Sequence, residues 1–262
     1  MKKKLITAAV LTVAAITLVV ATVFTTLAFL ADSAAVSNVF TVGNIAITMF
    51  ETKVDNNGVP TTPREEVDTN SYHLVPSNTY TKDPTIRITS STQDTMFLFV
   101  KSSNQIRGIE AGNVKDKEGN PIPTTKKTMR QQMEANGWVE YVMSKDGIDI
   151  VWVYGTRDDA GVITPTPVSK NSTQVGTTGT GVPGEFRLCQ EFTIASGADV
   201  SLYSAAKVSF TAFAIQKDGV NDTHKAWETI KETFPYEGGI IDPVNPYDNS
   251  KGPYEPVPKT QP

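Results

Sequence analysis

MFLFV, Met96 to Val100, is apolar at every position. Successive side chains of a strand point to opposite faces, so Phe97 and Phe99 oppose Met96, Leu98 and Val100, and both faces need cover. DIVWVY, Asp149 to Tyr154, makes the same demand. Strands of this kind lie in the middle of a sheet that is covered by a second sheet or by a helix. Around them run alternating segments. Ile45, Ile47 and Met49 share one face and Ile86 and Ile88 another, while Phe186 to Ile194 and Val208 to Ile215 complete the series. Each is bounded by Gly, Asn, Asp or Pro, which predicts antiparallel sheets joined by turns rather than βαβ units. An all-β sandwich is the economical solution.

Two short helices are predicted to cover it. Lys126 to Asn136 carries Met129 and Met133 at i and i+4 and ends at Gly137, a suitable C′ residue. Asn221 or Asp222 can cap a second helix, in which Ala226, Trp227, Ile230 and Phe234 form one stripe and Pro235 stops the run. Both stripes read as lids on the sandwich in preference to partner-binding faces. Two long surface insertions are expected. Lys53 to Ser71 holds the turn Asp55-Asn56-Asn57-Gly58 and the acidic Glu65-Glu66-Val67-Asp68, and Arg157 to Gly184 is rich in Gly, Thr, Pro and Ser. From residue 235 to 262 the chain carries Pro243, Pro246, Pro253, Pro256, Pro258 and Pro262 with little to bury, so it reads as an extended tail.

Composition narrows the function. The 262 residues, 39% hydrophobic and 20% charged, suit one large all-β domain or two small ones. A net charge of -4 and a pI near 5.3 leave no basic footprint for a phosphate backbone, which excludes nucleic acid as an expected partner. The single cysteine, Cys189, cannot form an internal disulfide, and beside Leu188 and Phe192 it reads as a small buried hydrophobe.

The front end reads as an export signal. Lys2, Lys3 and Lys4 form a positive start, and Leu5 to Ala31 contains no charged residue, long enough to span a bilayer. Thr26-Leu27-Ala28 places small side chains at the third and first positions before a cut between Ala28 and Phe29, which suits a signal peptidase. Asp32 follows at once and no Lys or Arg appears until Lys53, so cleavage is favoured over a retained anchor.

The order of Lys-rich start, Thr/Val/Ala-rich run, F-L-A-D-S and then Asn38-Val39-Phe40-Thr41-Val42-Gly43-Asn44-Ile45-Ala46-Ile47 resembles the TasA and camelysin family, exported proteins cut by SipW-type signal peptidases. Leu74 to Ile86, with its Lys82-Asp83-Pro84 triplet, resembles the family's proline turn and following strand. Ala212 to Gly219 with Ala226-Trp227 resembles its last strand and helix, Ile215, Gln216, Asp218, Gly219 and Trp227 being the matching positions. Where the family pattern has a Pro-Gly turn, this chain has Pro76-Ser77-Asn78. The resemblance covers residues 1 to 234 in islands. It implies a jelly-roll sandwich over 44–234, a signal peptide over 1–28 and an assembly segment over 29–43, secreted to the cell surface or extracellular matrix. In such proteins the N-terminal segment docks on the sheet edge of the next copy. Here that segment offers Phe29, Leu30, Val36, Val39, Phe40 and Val42, a loosely alternating strand with no hairpin partner nearby. The partners so implied are other copies of the chain in a head-to-tail fibre, the signal peptidase and other matrix proteins.

Catalysis is not expected. Camelysin-like proteins are often described as metalloproteases, yet only His73 and His224 are present and no H-E-x-x-H run occurs, so no metal and no cofactor is assigned. The Asp55 loop imitates a calcium loop, with Asn57 third and Glu66 twelfth, but Val59 and Pro60 stand at its fifth and sixth places, and a plain turn is the simpler reading. Val257-Pro258-Lys259-Thr260-Gln261 resembles a sortase signal without its Gly or the apolar segment behind it. The alternative to a fibre subunit is a monomeric cell-surface adhesin or binding module.

Overall fold

The structure is a computed structural model that describes residues 45–91, 94–115, 119, 120, 122–144, 147–218, 220, 223, 225 and 226, together with the backbone of 39–42. Twelve strands are found among them: β1 (Val39–Val42), β2 (Ile47–Thr52), β3 (Glu66–Val67), β4 (Thr79–Thr81), β5 (Thr85–Ile88), β6 (Met96–Asn104), β7 (Trp138–Met143), β8 (Asp149–Arg157), β9 (Ile163–Pro165), β10 (Glu185–Arg187), β11 (Glu191–Thr193) and β12 (Val208–Gln216). One sheet runs β1-β12-β6-β8-β7, with β9 paired to β8. A second runs β10-β5-β2-β3, and β11 pairs with β4. All pairs are antiparallel except β1 with β12. The all-β sandwich follows from the runs that predicted it.

The alternation in MFLFV becomes two cores. Met96, Leu98 and Val100 pack with Ile150, Trp152, Ala212 and Ala214, and meet Ile47, Met49, Ile86 and Phe186 of the second sheet. Phe97 and Phe99 lie on the other face with Val151, Val153, Phe213, Ile215 and Tyr141. Each fully buried large side chain contributes about 2 kcal/mol to folding, so the doubly covered β6 and β8 dominate the apolar term. Ala226, in the described start of a helix, is buried in the second core. Trp227, Ile230 and Phe234 lie outside the described residues, so the stripe of the second helix is described only at Ala226.

The first predicted helix is shorter than expected. It forms α1 (Met129–Ala135) because Thr128, extended at ψ 159, is its N-cap and makes a capping box with Gln131. Met129 and Met133 are buried, and Gly137 takes φ +84 beyond the end.

Two expectations need correction. Phe186 to Ile194 is not one strand: it divides into β10 and β11, in different sheets, with Leu188 to Gln190 between them. The cause is the partner. β4 and β5 are separated by Lys82-Asp83-Pro84, and Pro84 has no N–H to continue a ladder, so the facing strand breaks at the same level. The two breaks stay joined, because Lys82 donates its N–H to Gln190 O at 2.9 Å and Leu188 donates to Pro84 O at 2.9 Å. The insertion Arg157 to Gly184 is likewise no free loop. β9 pairs it to β8, Val168 is buried and exchanges hydrogen bonds with Met96, and buried Gln174 donates to Asn136 O and Arg187 O while accepting from Arg187 N. The insertion Lys53 to Ser71 supplies β3, and its Asp55 closes a turn by accepting from Asn57 N and Val59 N, both at 2.9 Å.

Candidate functional site

The first candidate region is a sheet edge. β1 ends the sheet, and its parallel register pairs Val39 with Ala212, Phe40 with Phe213, Thr41 with Ala214 and Val42 with Ile215. On its other side β12 pairs with β6 along its full length, from Val208 with Asn104 to Gln216 with Met96. β1 therefore covers the Ala212 to Ile215 part of a strand that begins at Val208. Val39 to Val42, the described part of the predicted segment, thus pairs with a strand distant in sequence, and in parallel. Ile215 is buried, Gln216 half-buried, and Asp218 is exposed in the turn beyond β12. Ala28, Phe29, Leu30, Val36, Gly219 and Trp227 lie outside the described residues, as does His224.

The second region is a buried polar knot at Lys82-Asp83-Pro84. Thr85 and Asp83 are both buried in the kink, and the Thr85 hydroxyl donates to Asp83 O at 2.8 Å. The Asp83 carboxylate accepts from Thr52 N at 2.7 Å and Thr52 Oγ1 at 2.6 Å, and Arg64 adds a third contact at 3.2 Å. Lys82 Nζ donates to Glu51 Oε1 at 2.5 Å, in a pair whose side chains are only 6% and 8% exposed. Asn70 completes the arrangement. Its Nδ2 donates to Glu51 Oε2 at 3.1 Å and Thr52 O at 2.9 Å, and its Oδ1 accepts from Val54 N at 2.9 Å.

Aromatic rings enclose the amine. Lys82 Nζ lies 5.8 Å from the centroid of Tyr72 and 5.7 Å from that of Phe210. Tyr72 packs edge-on against Tyr80 and Phe192, and its hydroxyl donates to Thr81 O at 2.9 Å. Burial, and then the nearby Glu51 carboxylate, push the phenol far above its ordinary range, so it stays a neutral donor. Cys189 is fully buried, its Sγ donates to Lys82 O at 3.3 Å, and burial raises the thiol well above its usual value. It is an inert member of the core, as its neighbours suggested.

Outside the knot, the second sheet bears a charged groove of about 290 Å3. Arg87 stacks 4.1 Å from the centroid of Phe50, donates through both terminal nitrogens to Glu66, and through Nε to Glu185. The bidentate contact from Arg87 holds Glu66 below its ordinary carboxylate range. Arg64 and Arg187 complete its cationic side.

Glu51, Arg64, Asn70 and Tyr72 were missed by sequence reasoning. Nothing in the spacing of residues 51 to 72 sets them apart, because they converge only when the insertion folds back on β2. His73 is exposed, and its N–H donates to Asn56 O at 2.7 Å. Among the described residues no group of His, Cys, Asp and Glu is placed to hold a metal ion, and no helix is long and apolar enough to cross a membrane. Comparison with protein families, with curated proteins and with solved structures finds no match to the chain.

Proposed function

We propose that the chain is exported, cut after Ala28 by a SipW-type signal peptidase, and serves as a structural subunit of an extracellular fibre in which each copy gives its N-terminal strand to the β12 edge of the next. The observation that carries this reading is β1 itself. It is a short edge strand, parallel to β12, set by backbone pairing at four positions. An identical segment from another copy makes the same four pairs, so exchange loses nothing locally. A donor strand on one face of the subunit and an acceptor edge on another make a head-to-tail contact that does not close, so it propagates as a filament. The resemblance to the TasA and camelysin family supports the same use of the segment and adds other matrix proteins as partners.

A monomeric cell-surface binding module is the second reading, favoured by β1 resting on the β12 of its own chain and by the charged groove. Sedimentation and negative-stain imaging of the chain beginning at Phe29, beside one lacking Phe29 to Phe40, separate the two. Filaments from the first and a soluble second are expected of a fibre subunit. Two soluble monomers establish the binding module instead.

A further inference from the structure

The amine of Lys82 and the amide of Asn70 hang on the two oxygens of one carboxylate, Glu51, at 2.5 and 3.1 Å. A buried ion pair requires only the first of these contacts. The second holds an asparagine amide beside the amine, and Val54 N–H fixes its carbonyl oxygen at 2.9 Å. Amine and carboxylate are both buried, and the amine is flanked by Tyr72 and Phe210, so the contacting groups are held in a site shielded from water.

We propose that this trio is an autocatalytic site that joins Lys82 to Asn70 through an isopeptide bond, with Glu51 as the general base and acid. Glu51 takes a proton from Nζ, and the freed lone pair attacks Cγ of Asn70. The carbonyl electron pair moves onto Oδ1, where the Val54 N–H stabilises it in the manner of an oxyanion hole. Glu51 passes its proton to Nδ2, the Cγ–Nδ2 bond breaks as the carbonyl re-forms, and the second proton of Nζ follows. Lysine ammonium and asparagine amide become one secondary amide and one ammonium ion, with no oxidant, reductant or other reactant. Proximity supplies the rate, since both groups are already held on the same catalyst. The bond ties Asn70, between β3 and β4, to Lys82, in the kink between β4 and β5, and closes a covalent ring around β4. In a chain with one cysteine, this brace takes the place that a disulfide cannot fill.

Peptide mapping of the full chain tests it. Trypsin acting on the denatured protein cuts after Arg64 and Arg87, and a joined Lys82 resists cleavage. The expected product is residues 65–87 as one uncut peptide, lighter by one ammonia, about 17 Da. Glu51→Gln and Asn70→Ala are expected to restore full mass and cleavage after Lys82, and Lys82→Arg to restore full mass. Wild-type protein that is folded by circular dichroism yet gives a full-mass peptide cut after Lys82 overturns the proposal, whatever the variants do. Loss of ammonia with normal cleavage after Lys82 also overturns it, since a succinimide at Asn70 then accounts for the mass.

Discussion

Asp83 shows how much one buried carboxylate carries. Thr52 gives it a backbone N–H and a hydroxyl, both inside the fold, while Arg64 reaches it with a side chain that is 58% exposed. Removing the acceptor strands two buried donors, whereas removing Arg64 leaves a carboxylate that still holds both. Asp83→Ala is therefore expected to cost about 3 kcal/mol and Arg64→Ala less than about 1 kcal/mol, read as shifts of the urea midpoint. Glu110 carries a different consequence. It is buried, accepts from Met129 N at 2.5 Å and Asn104 Nδ2 at 3.2 Å, and burial raises its carboxyl from 4.5 to about 7 against the pull of those donors and of Arg107. Since the folded chain keeps this proton to a higher pH than the unfolded chain does, the contribution of Glu110 to stability is fully present below about pH 4.5 and declines as pH rises to about 7, where its loss levels off. Glu110→Gln removes this loss. Across that window its stability curve is expected to diverge from that of the wild type by on the order of 3 kcal/mol, measured by denaturation at successive pH values.

At the scale of elements, alternation was legible wherever a strand has one partner on each side and a core on each face. Met96 to Val100 and Ile150 to Tyr154 announce both cores, because period two in the sequence is period two in the pleat. The break at Leu188 to Gln190 was hidden, since Leu188, Cys189 and Phe192 continue an apolar run and the reason for stopping lies in Pro84 of another strand. The knot was hidden for a related reason. Asn70 and Glu51 acquire meaning only from a fold-back that polar loop residues do not encode by periodicity, and Lys82 and Asp83 were noticed through resemblance alone. Turn chemistry was easier to read. The Asp55 to Gly58 turn places Gly58 at φ +77 directly against Tyr80, where an added Cβ would sit 2.6 Å from Cδ1 and 2.8 Å from Cα. Neither the left-handed backbone nor the Tyr80 main chain can yield cheaply, so Gly58→Ala is expected to destabilise the fold by about 2 kcal/mol or more. Thermal unfolding of that variant should show a drop of several degrees.

For the whole molecule, the question is which copy of β1 lies on which β12. The parallel register places Val39 opposite Ala212, and neighbouring strands lie about 4.8 Å apart, within the Cα separation a disulfide accepts. Val39→Cys with Ala212→Cys therefore reports the donor of β1 directly. The native Cys189 does not compete, because it is fully buried and its thiol is held protonated. Oxidised before assembly, the pair closes within one chain, migrates as a monomer and locks β1 in place, so no filaments are expected. Reduced, the same protein is free to exchange its strand. Oxidised only after assembly, it is expected to give a ladder of covalent multimers on a non-reducing gel, each rung one subunit longer. Filaments that yield only monomeric disulfides would place the contact between copies elsewhere than β12. Protein that never sediments, reduced or oxidised, keeps β1 on its own sheet and leaves a binding module as the reading of this sandwich.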